Sequence, residues 1–422
     1  MLRTFKSIAS LVPRPMSLVP FLILASTALA IDWPQWRGPN RDNVSSETGL
    51  LKEWPKEGPA LLWKATGLGM GFSTVSVVGD RIYTMGDGDD AGYVRCISLA
   101  DGKPIWSARM GRPGGNQRGQ GPGTLGTPTV DGELVFALGQ FGDLIAVKAA
   151  DGKEVWRKDL VKDFGGQMPH WHYAESPLVD GQQVVVTPGG KAGAVVALNK
   201  SDGKQLWRSR EFTDAPAYSS LVPAEIGGVK QYVQLTGASV VGIAPEGGKL
   251  LWKATRIGRT AVVPTPIVYE DQVFVTSGYG VGCNLFKISK TGDAFKAEQV
   301  YANTDMANHH GGVIRVGENI YGHSDSRGWT CMEMKTGRVV WSEKKLGKGS
   351  IAYADGHLYC RAESDKGTIA LIEASPDGWK ETGRFDQPNR SRDNSWPQPV
   401  VADGKLFIRD QDVLLCYDVK GK

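Results

Sequence analysis

Six histidines are present, and five of them fall at two kinds of place along the chain. His170 and His172 sit in MPHWHYAES, and His309 and His310 sit in ANHHGG, each just ahead of an apolar run. His323 opens the loop HSDSRG, and only His357 lies beside a short Asp-Gly turn. Trp171, Tyr173, Asp325 and Arg327 share these segments, and Tyr218, Tyr279, Arg392 and Trp396 occupy comparable places elsewhere. An imidazole serves as acid, base or metal ligand near neutral pH. Trp and Tyr faces suit a sugar ring or a planar cofactor, while Asp and Arg add directed hydrogen bonds. In an extended segment His170 and His172 project to one side. With His309 they would make the three protein ligands of an open metal site. The competing use is structural, since such groups also cap strand ends and bond loop backbone. The twelve residues His170, Trp171, His172, Tyr173, Tyr218, Tyr279, His309, His310, Asp325, Arg327, Arg392 and Trp396 form the candidate ligand-binding set. None is assigned a catalytic role, and no metal site is assigned.

Other motifs point to less. GDGDDAG, residues 86 to 92, is acidic and Gly-rich but lacks the spaced carboxylates and distal Glu of a Ca²⁺ loop. GRPGGNQRGQGPG, residues 111 to 123, lacks the GK[ST] end of a phosphate loop. No GxSxG occurs. The five cysteines, Cys96, Cys283, Cys331, Cys360 and Cys416, all lie in apolar, strand-like runs without CxxC spacing. They read as small core residues.

The element that must position the candidates is a repeat. TPTVDGELVFALGQFGDLIAVKAADGKEVW, residues 127 to 156, recurs from Val75 to Trp106 and from Glu175 to Trp207. Looser copies begin at Ser219, Pro264, Gly311, Ser350 and Pro397, which makes eight. The closing aromatic falls at Trp106, Trp156, Trp207, Trp252, Tyr301, Trp341 and Phe385. Within a unit, a short apolar run meets an Asp-Gly turn, an alternating run follows, then a third run, a second Asp-Gly turn and the Trp-bearing run. These are four antiparallel strands, A to D, of one propeller blade. The small residues Cys96, Ala146, Ala197, Gly242 and Cys331 recur on strand C, as close packing of neighbouring sheets would require, with Phe286 the exception. The eighth copy ends before a D strand, and the run from Pro59 to Lys64 has the D pattern without a blade of its own. That run is expected to complete the last blade and close the ring. The predicted fold is therefore all-β, an eight-bladed propeller. A seven-bladed ring is the alternative if the fourth copy is not a blade.

The motif D/T-G-x-x-x-W, seen as DGKPIW, DGKEVW, DGKQLW, GGKLLW and TGRVVW, resembles the tryptophan-docking repeat of pyrroloquinoline-quinone-type propellers. The resemblance covers about residues 59 to 422. Two kinds of relative share it: quinoprotein alcohol dehydrogenases and BamB, an outer-membrane assembly factor without a cofactor. The opening WPQWRGPNRDNVS also looks like uncharacterised secreted propellers of this superfamily. The dehydrogenase resemblance implies pyrroloquinoline quinone with Ca²⁺ as cofactor, held beside two adjacent cysteines and by Glu, Asn and Asp ligands. This chain has no adjacent Cys pair and no CxxCH haem motif, and those ligands cannot be placed. BamB-like proteins are usually lipid-anchored, and no Cys sits near residue 30 here.

Fold leaves function open. The connections from strand D to the next strand A are long and individual, at 109–124, 158–174 and 302–308, whereas AB and CD turns are short. The DA/BC face is where a ligand is expected, and five of the six histidines map to it. Residues 1–30 read as a signal peptide: Arg3, Lys6 and Arg14 precede an apolar run ending in Ala28-Leu29-Ala30. Residues 31–58 form an extended segment ahead of the propeller at 59–422. Removing the three leader cations from 49 leaves 46 basic against 45 acidic residues. That balance argues against a nucleic-acid partner or an anionic membrane surface. The expectation is a periplasmic or secreted, non-catalytic scaffold for protein or glycan, with no stable membrane span after cleavage. The alternative is a quinoprotein-type oxidoreductase acting on an alcohol or sugar.

Overall fold

The computed structural model describes residues 1–2, 32–114, 123–363 and 366–421. The expected signal peptide, apart from Met1 and Leu2, and part of the Gly-rich segment at 111–123 lie outside these residues. The unit from Ile31 to Lys422 is all-β, with eight antiparallel sheets arranged as a propeller ring. Blade 1 runs Ser76–Val78, Arg81–Asp87, Gly92–Ser98 and Pro104–Gly111. The A strands of blades 2 to 8 are Thr129–Asp131, Leu178–Asp180, Val222–Ile226, Ile267–Tyr269, Val313–Val316, Gly349–Ala354 and Val400–Ala402. Neighbouring A strands touch one another, so A is innermost and D outermost. The fourth, degenerate copy is a full blade: Val222–Ile226, Val229–Leu235, Ser239–Ile243 and Leu250–Thr255. Eight blades, not seven, close the ring.

The repeat motif has a geometric reason. The Gly of a CD turn sits against the D-strand aromatic of the preceding blade. A Cβ on Gly152 would come within 2.5 Å of the Trp106 ring, and one on Gly102 within 2.7 Å of Trp63. Both glycines also hold positive φ, 73° and 69°, which a side chain disfavours. The indoles donate across the same seam, Trp106 Nε1 to Ala149 O at 3.0 Å and Trp156 Nε1 to Lys200 O at 2.9 Å. Tyr301 does the same with its hydroxyl, to Met334 O at 2.7 Å. The recurrent small residue of strand C has a more local cause than the blade packing expected for it. Cys96, Ala146, Ala197, Gly242 and Cys331 each stand directly opposite the D-strand Trp. On Gly242 a Cβ would lie 2.1 Å from Trp252 Nε1. Phe286 escapes this because its register partner is Gln299, not Tyr301.

Each D strand also carries a bulge, just before the aromatic in seven blades, as at Val155 between Glu154 and Trp156, and at Thr382 ahead of Phe385 in blade 7. The extra residue turns outward, which leaves Ile105, Val155 and Leu206 exposed and interrupts the outer edge for pairing. Leu61–Ala65 pairs antiparallel with Val413–Asp418 and completes blade 8, as its D-like pattern predicts.

Residues 32–58 are not merely extended. Trp33 bridges the A strand of blade 1 at Val77. The chain then enters the channel, turns at Arg37 to Arg41, and leaves as Val44–Ser45, parallel to Gly349–Ala354 of blade 7. Arg37 donates to Val313 O of blade 6 at 2.5 Å, and Arg41 donates to Ser176 O at 2.7 Å and Pro177 O at 3.1 Å in blade 3. Asn43 donates to Ile351 O of blade 7. The segment is thus a plug bonded to blades on opposite sides of the ring. Burial lowers Arg37 and Arg41 to about 10, so both stay charged at neutral pH.

Candidate functional site

The DA connections end at the channel axis above the plug, where they enclose a cavity of about 370 Å³. Trp36 of the plug lines it from one side, its Nε1 donating to Thr265 Oγ1 at 3.2 Å. Phe72, Leu125, Trp171, Tyr218, Ala261, Val263, His309, His310 and Trp396 come from the segments just before strands A. Tyr279 enters from the BC turn of blade 5 with φ of 58°. Among the described residues the lining is dominated by aromatic and aliphatic groups and includes no Asp, Glu, Lys or Arg.

One wall is chemically distinct. Tyr279 Oη lies 2.7 Å from His309 Nε2, and Lys348 Nζ lies 2.5 Å from His309 Nδ1. Lys348 Nζ is also 3.5 Å from Asp325. Burial, then His310 and Lys348, push His309 down to about 4, so the ring is neutral at pH 7. His310 stacks on Trp396 with centroids 4.7 Å apart, and Trp396 also neighbours Phe72 at 4.4 Å and His309 at 6.2 Å. His310 Nε2 is 2.5 Å from Glu363 Oε2. These two atoms are each other's partners, and His310 Nδ1 is buried without a hydrogen-bond partner among the described residues. Burial lowers His310, and the neighbouring imidazole draws Glu363 down against the raising effect of its own burial. A neutral imidazole beside a carboxylate is consistent with both directions. Burial likewise pushes His323 down to about 4.

Six of the twelve candidates line the cavity: Trp171, Tyr218, Tyr279, His309, His310 and Trp396. Asp325 stands behind them, against Lys348. The others lie apart. Tyr173 is a core residue, 1% exposed, donating to Pro188 O at 3.0 Å. His170 packs edge-on against Trp171, and His172 packs on Phe141. The segment holding them is a turn, not extended: His172 N donates to Pro169 O, and His172 has φ of 66°. The alternation argument therefore does not apply, and His170, His172 and His309 do not converge. No group of three His, Cys, Asp or Glu suited to a metal occurs among the described residues. Arg327 pairs with Asp305 at 2.5 Å on the surface, and Arg392 is exposed, outside the lining. His323 belongs to the end of strand Asn319–Ser324 rather than to the loop after it.

Residues outside the candidate set include Trp36, Phe72, Lys348 and Glu363. Phe72 and Lys348 precede strand A of blades 1 and 7 just as His309 precedes that of blade 6, so the rule that found His309 reaches them too. Trp36 was hidden because nothing local says that its segment enters the channel.

Below the plug lies a second cavity of about 370 Å³, lined by polar groups that include Asn40, Asp42, Glu225, Glu270 and Arg315. Among the described residues no helix is long and apolar enough to cross a membrane.

Comparison with known proteins follows this geometry. The family model described as outer membrane protein assembly factor BamB matches residues 90–343, more than half of the chain. BamB of Xanthomonas campestris pv. campestris is 27% identical over 213 residues, 49% of this chain and 48% of that protein. BamB of Escherichia coli is 23% identical over 343 residues, 68% of this chain and 82% of that protein. The chain spans about half the length of the first curated relatives it matches. Among solved structures, BamB from Moraxella catarrhalis superposes with a TM-score of 0.59 at 13% identity, covering 83% of this chain and 95% of its own. The quinohemoprotein alcohol dehydrogenase of Comamonas testosteroni gives 0.62 at 12% identity, covering 93% and 81%. At these identities the superpositions establish the fold alone.

Proposed function

We propose, from the premise that this chain belongs to the family of outer membrane protein assembly factor BamB, that it is a non-catalytic extracytoplasmic propeller whose DA/BC face binds a protein or glycan. The observation that carries this reading is the asymmetry of the two faces. The DA/BC face holds the aromatic cavity, and its connections carry exposed apolar side chains: Met168, Ile257 and Tyr279 are 43%, 66% and 40% exposed. Exposed apolar groups around a concave site mark recognition surfaces. The AB and CD turns offer Asp, Gly and Lys instead. The basic-then-apolar leader supports export to the periplasm or beyond.

Quinone-dependent oxidation is the second reading, favoured by the aromatic cavity on the channel axis. The residues present do not fit a Ca²⁺-bound quinone. A hard cation needs several converging oxygen ligands, and among the described residues no such acidic cluster forms. The five cysteines are free, buried and separated in sequence. No chemical step is drawn through that cofactor.

The test is site-specific photo-crosslinking in the native host. A benzophenone side chain at Met168 or Ile257 should trap discrete partners, and one at Asp151 in a CD turn should not. Equal yields from both faces, or none from Met168 and Ile257, would remove the assignment of the binding face.

A further inference from the structure

The charged wall of the cavity fixes its own proton pattern. A lysine ammonium has donors and no acceptor, so Lys348 must donate to His309 Nδ1. A neutral ring then carries its hydrogen on Nε2 and donates it to Tyr279 Oη. The phenolic proton of Tyr279 is left free to reach an acceptor inside the cavity. Beside it, His310 is 8% exposed and lines the cavity, with Nε2 held 2.5 Å from Glu363 Oε2 and Nδ1 without a hydrogen-bond partner among the described residues. Buried polar atoms are rarely left unpaired, so an orphaned Nδ1 on a cavity-lining residue marks a missing ligand group. With Glu363 beside Nε2, the proton belongs on that nitrogen, and Nδ1 is left as an acceptor.

The cavity therefore presents Tyr279 Oη as a donor and His310 Nδ1 as an acceptor within aromatic walls, with the hydroxyls of Ser176, Tyr218 and Ser220 and the amide of Asn394 also in the lining. We infer that it takes a neutral hydroxylated ring of sugar size, with C–H faces against the indoles and hydroxyls bonded to Tyr279 and His310. A hydroxyl is both donor and acceptor and so matches either group. A purely apolar guest would leave His310 unpaired, at a cost in binding. Among the described residues a charged guest would meet no ionised partner in the lining, since Lys348 is already engaged by His309 and Asp325. The volume, about 370 Å³, sits at the low end of small-molecule sites and suits one or two rings.

This inference rests on the binding reading above and specifies its glycan arm. It is tested with the full-length protein by tryptophan fluorescence and calorimetry, using methyl glucoside, methyl galactoside, N-acetylglucosamine and cellobiose, with glucuronate and glucosamine as charged counterparts. At least one neutral sugar should saturate, and its charged counterpart should bind about tenfold more weakly. Tyr279→Phe, which removes one oxygen, should weaken binding about tenfold without moving Tm. Lys348→Met should weaken it in the same direction, because the imidazole is then free to reverse its tautomer. The inference is overturned if no neutral sugar saturates, if glucuronate binds as well as its neutral counterpart, or if Tyr279→Phe binds like the parent. Cross-links from Met168 without any sugar binding would leave the propeller a protein-binding scaffold and end the sugar assignment alone.

Discussion

The two cavities on the channel axis have the same volume, about 370 Å³, and opposite chemistry. Among the described residues the one on the DA/BC side is aromatic and carries no ionised side chain in its lining, whereas the one on the AB side sets Asn40, Asp42, Glu225, Glu270 and Arg315 among apolar groups such as Val44, Val222 and Ile267. One short segment serves both. Trp36 lines the aromatic cavity, and four and six residues later Asn40 and Asp42 line the polar one. The reversal is made by left-handed backbone at Arg37, Gly38, Arg41 and Asn43, with φ of 63°, 80°, 57° and 62°. Each non-glycine residue in that region costs about 1–3 kcal/mol, and it persists only where surrounding bonds over-determine it. Arg37 and Arg41, bonded to blade carbonyls, supply that constraint. The comparison teaches that the channel's two chemistries are separated by backbone geometry, not by a change of blade.

The largest expected effect breaks the separation at its anchor. Arg41→Ala removes bonds to Ser176 O, Pro177 O and Gln35 Oε1 from a fully buried site. Unfolding in urea should show a loss of about 4 kcal/mol. An unchanged midpoint would mean that the plug is held by its backbone alone. Next comes the carboxyl beside that anchor. Burial raises Glu175 to about 7 from 4.5, against its bonds to Thr187 and the charge of Arg41. Below about pH 4.5 both states hold the proton. Between about 4.5 and 7 the unfolded chain releases a proton that the folded chain keeps, so stability falls as pH rises. Glu175→Gln abolishes this, and the parent should lose about 3 kcal/mol relative to the variant between pH 4 and pH 8. Parallel stability curves for the two proteins would contradict it.

A smaller loss, about 2 kcal/mol, is expected for Trp36→Ala, which is partly buried and loses its bond to Thr265. That variant sharpens the comparison, because it changes the plug side of the aromatic cavity without touching the Arg anchors. The smallest effect on stability should be that of Tyr279→Phe, below about 0.5 kcal/mol by thermal melting, since its hydroxyl is on an exposed residue. A large drop would show that Tyr279 holds the BC turn rather than serving a ligand.

Much of the ring was readable because the repeat states its own contacts. DGKEVW encodes a tight turn, a glycine that admits the neighbouring indole, and the indole that docks in the next blade. Half of the candidate set lines the cavity for the same reason: His309, His310, Tyr218 and Trp396 precede strands A, and strand starts gather at the axis of a ring. The failures have one cause as well. His170 and His172 were read from strand alternation, but a turn at Pro169 to His172 sends them to different places, and the neighbouring Tyr173 goes into the core. Trp36, Lys348 and Glu363 depend on which blades lie opposite or adjacent, and the distances between them in sequence carry no sign of that.

The sequence by itself determined the four-stranded blade, the docking seams and the closing strand, because each rests on contacts within one repeat or between consecutive ones, and the structure chose eight blades over seven. Only the tertiary structure decided that residues 33–45 plug the channel and that His309 meets Tyr279 and Lys348. Those contacts join segments that no local period relates, and closing the ring is what brings them within bonding distance.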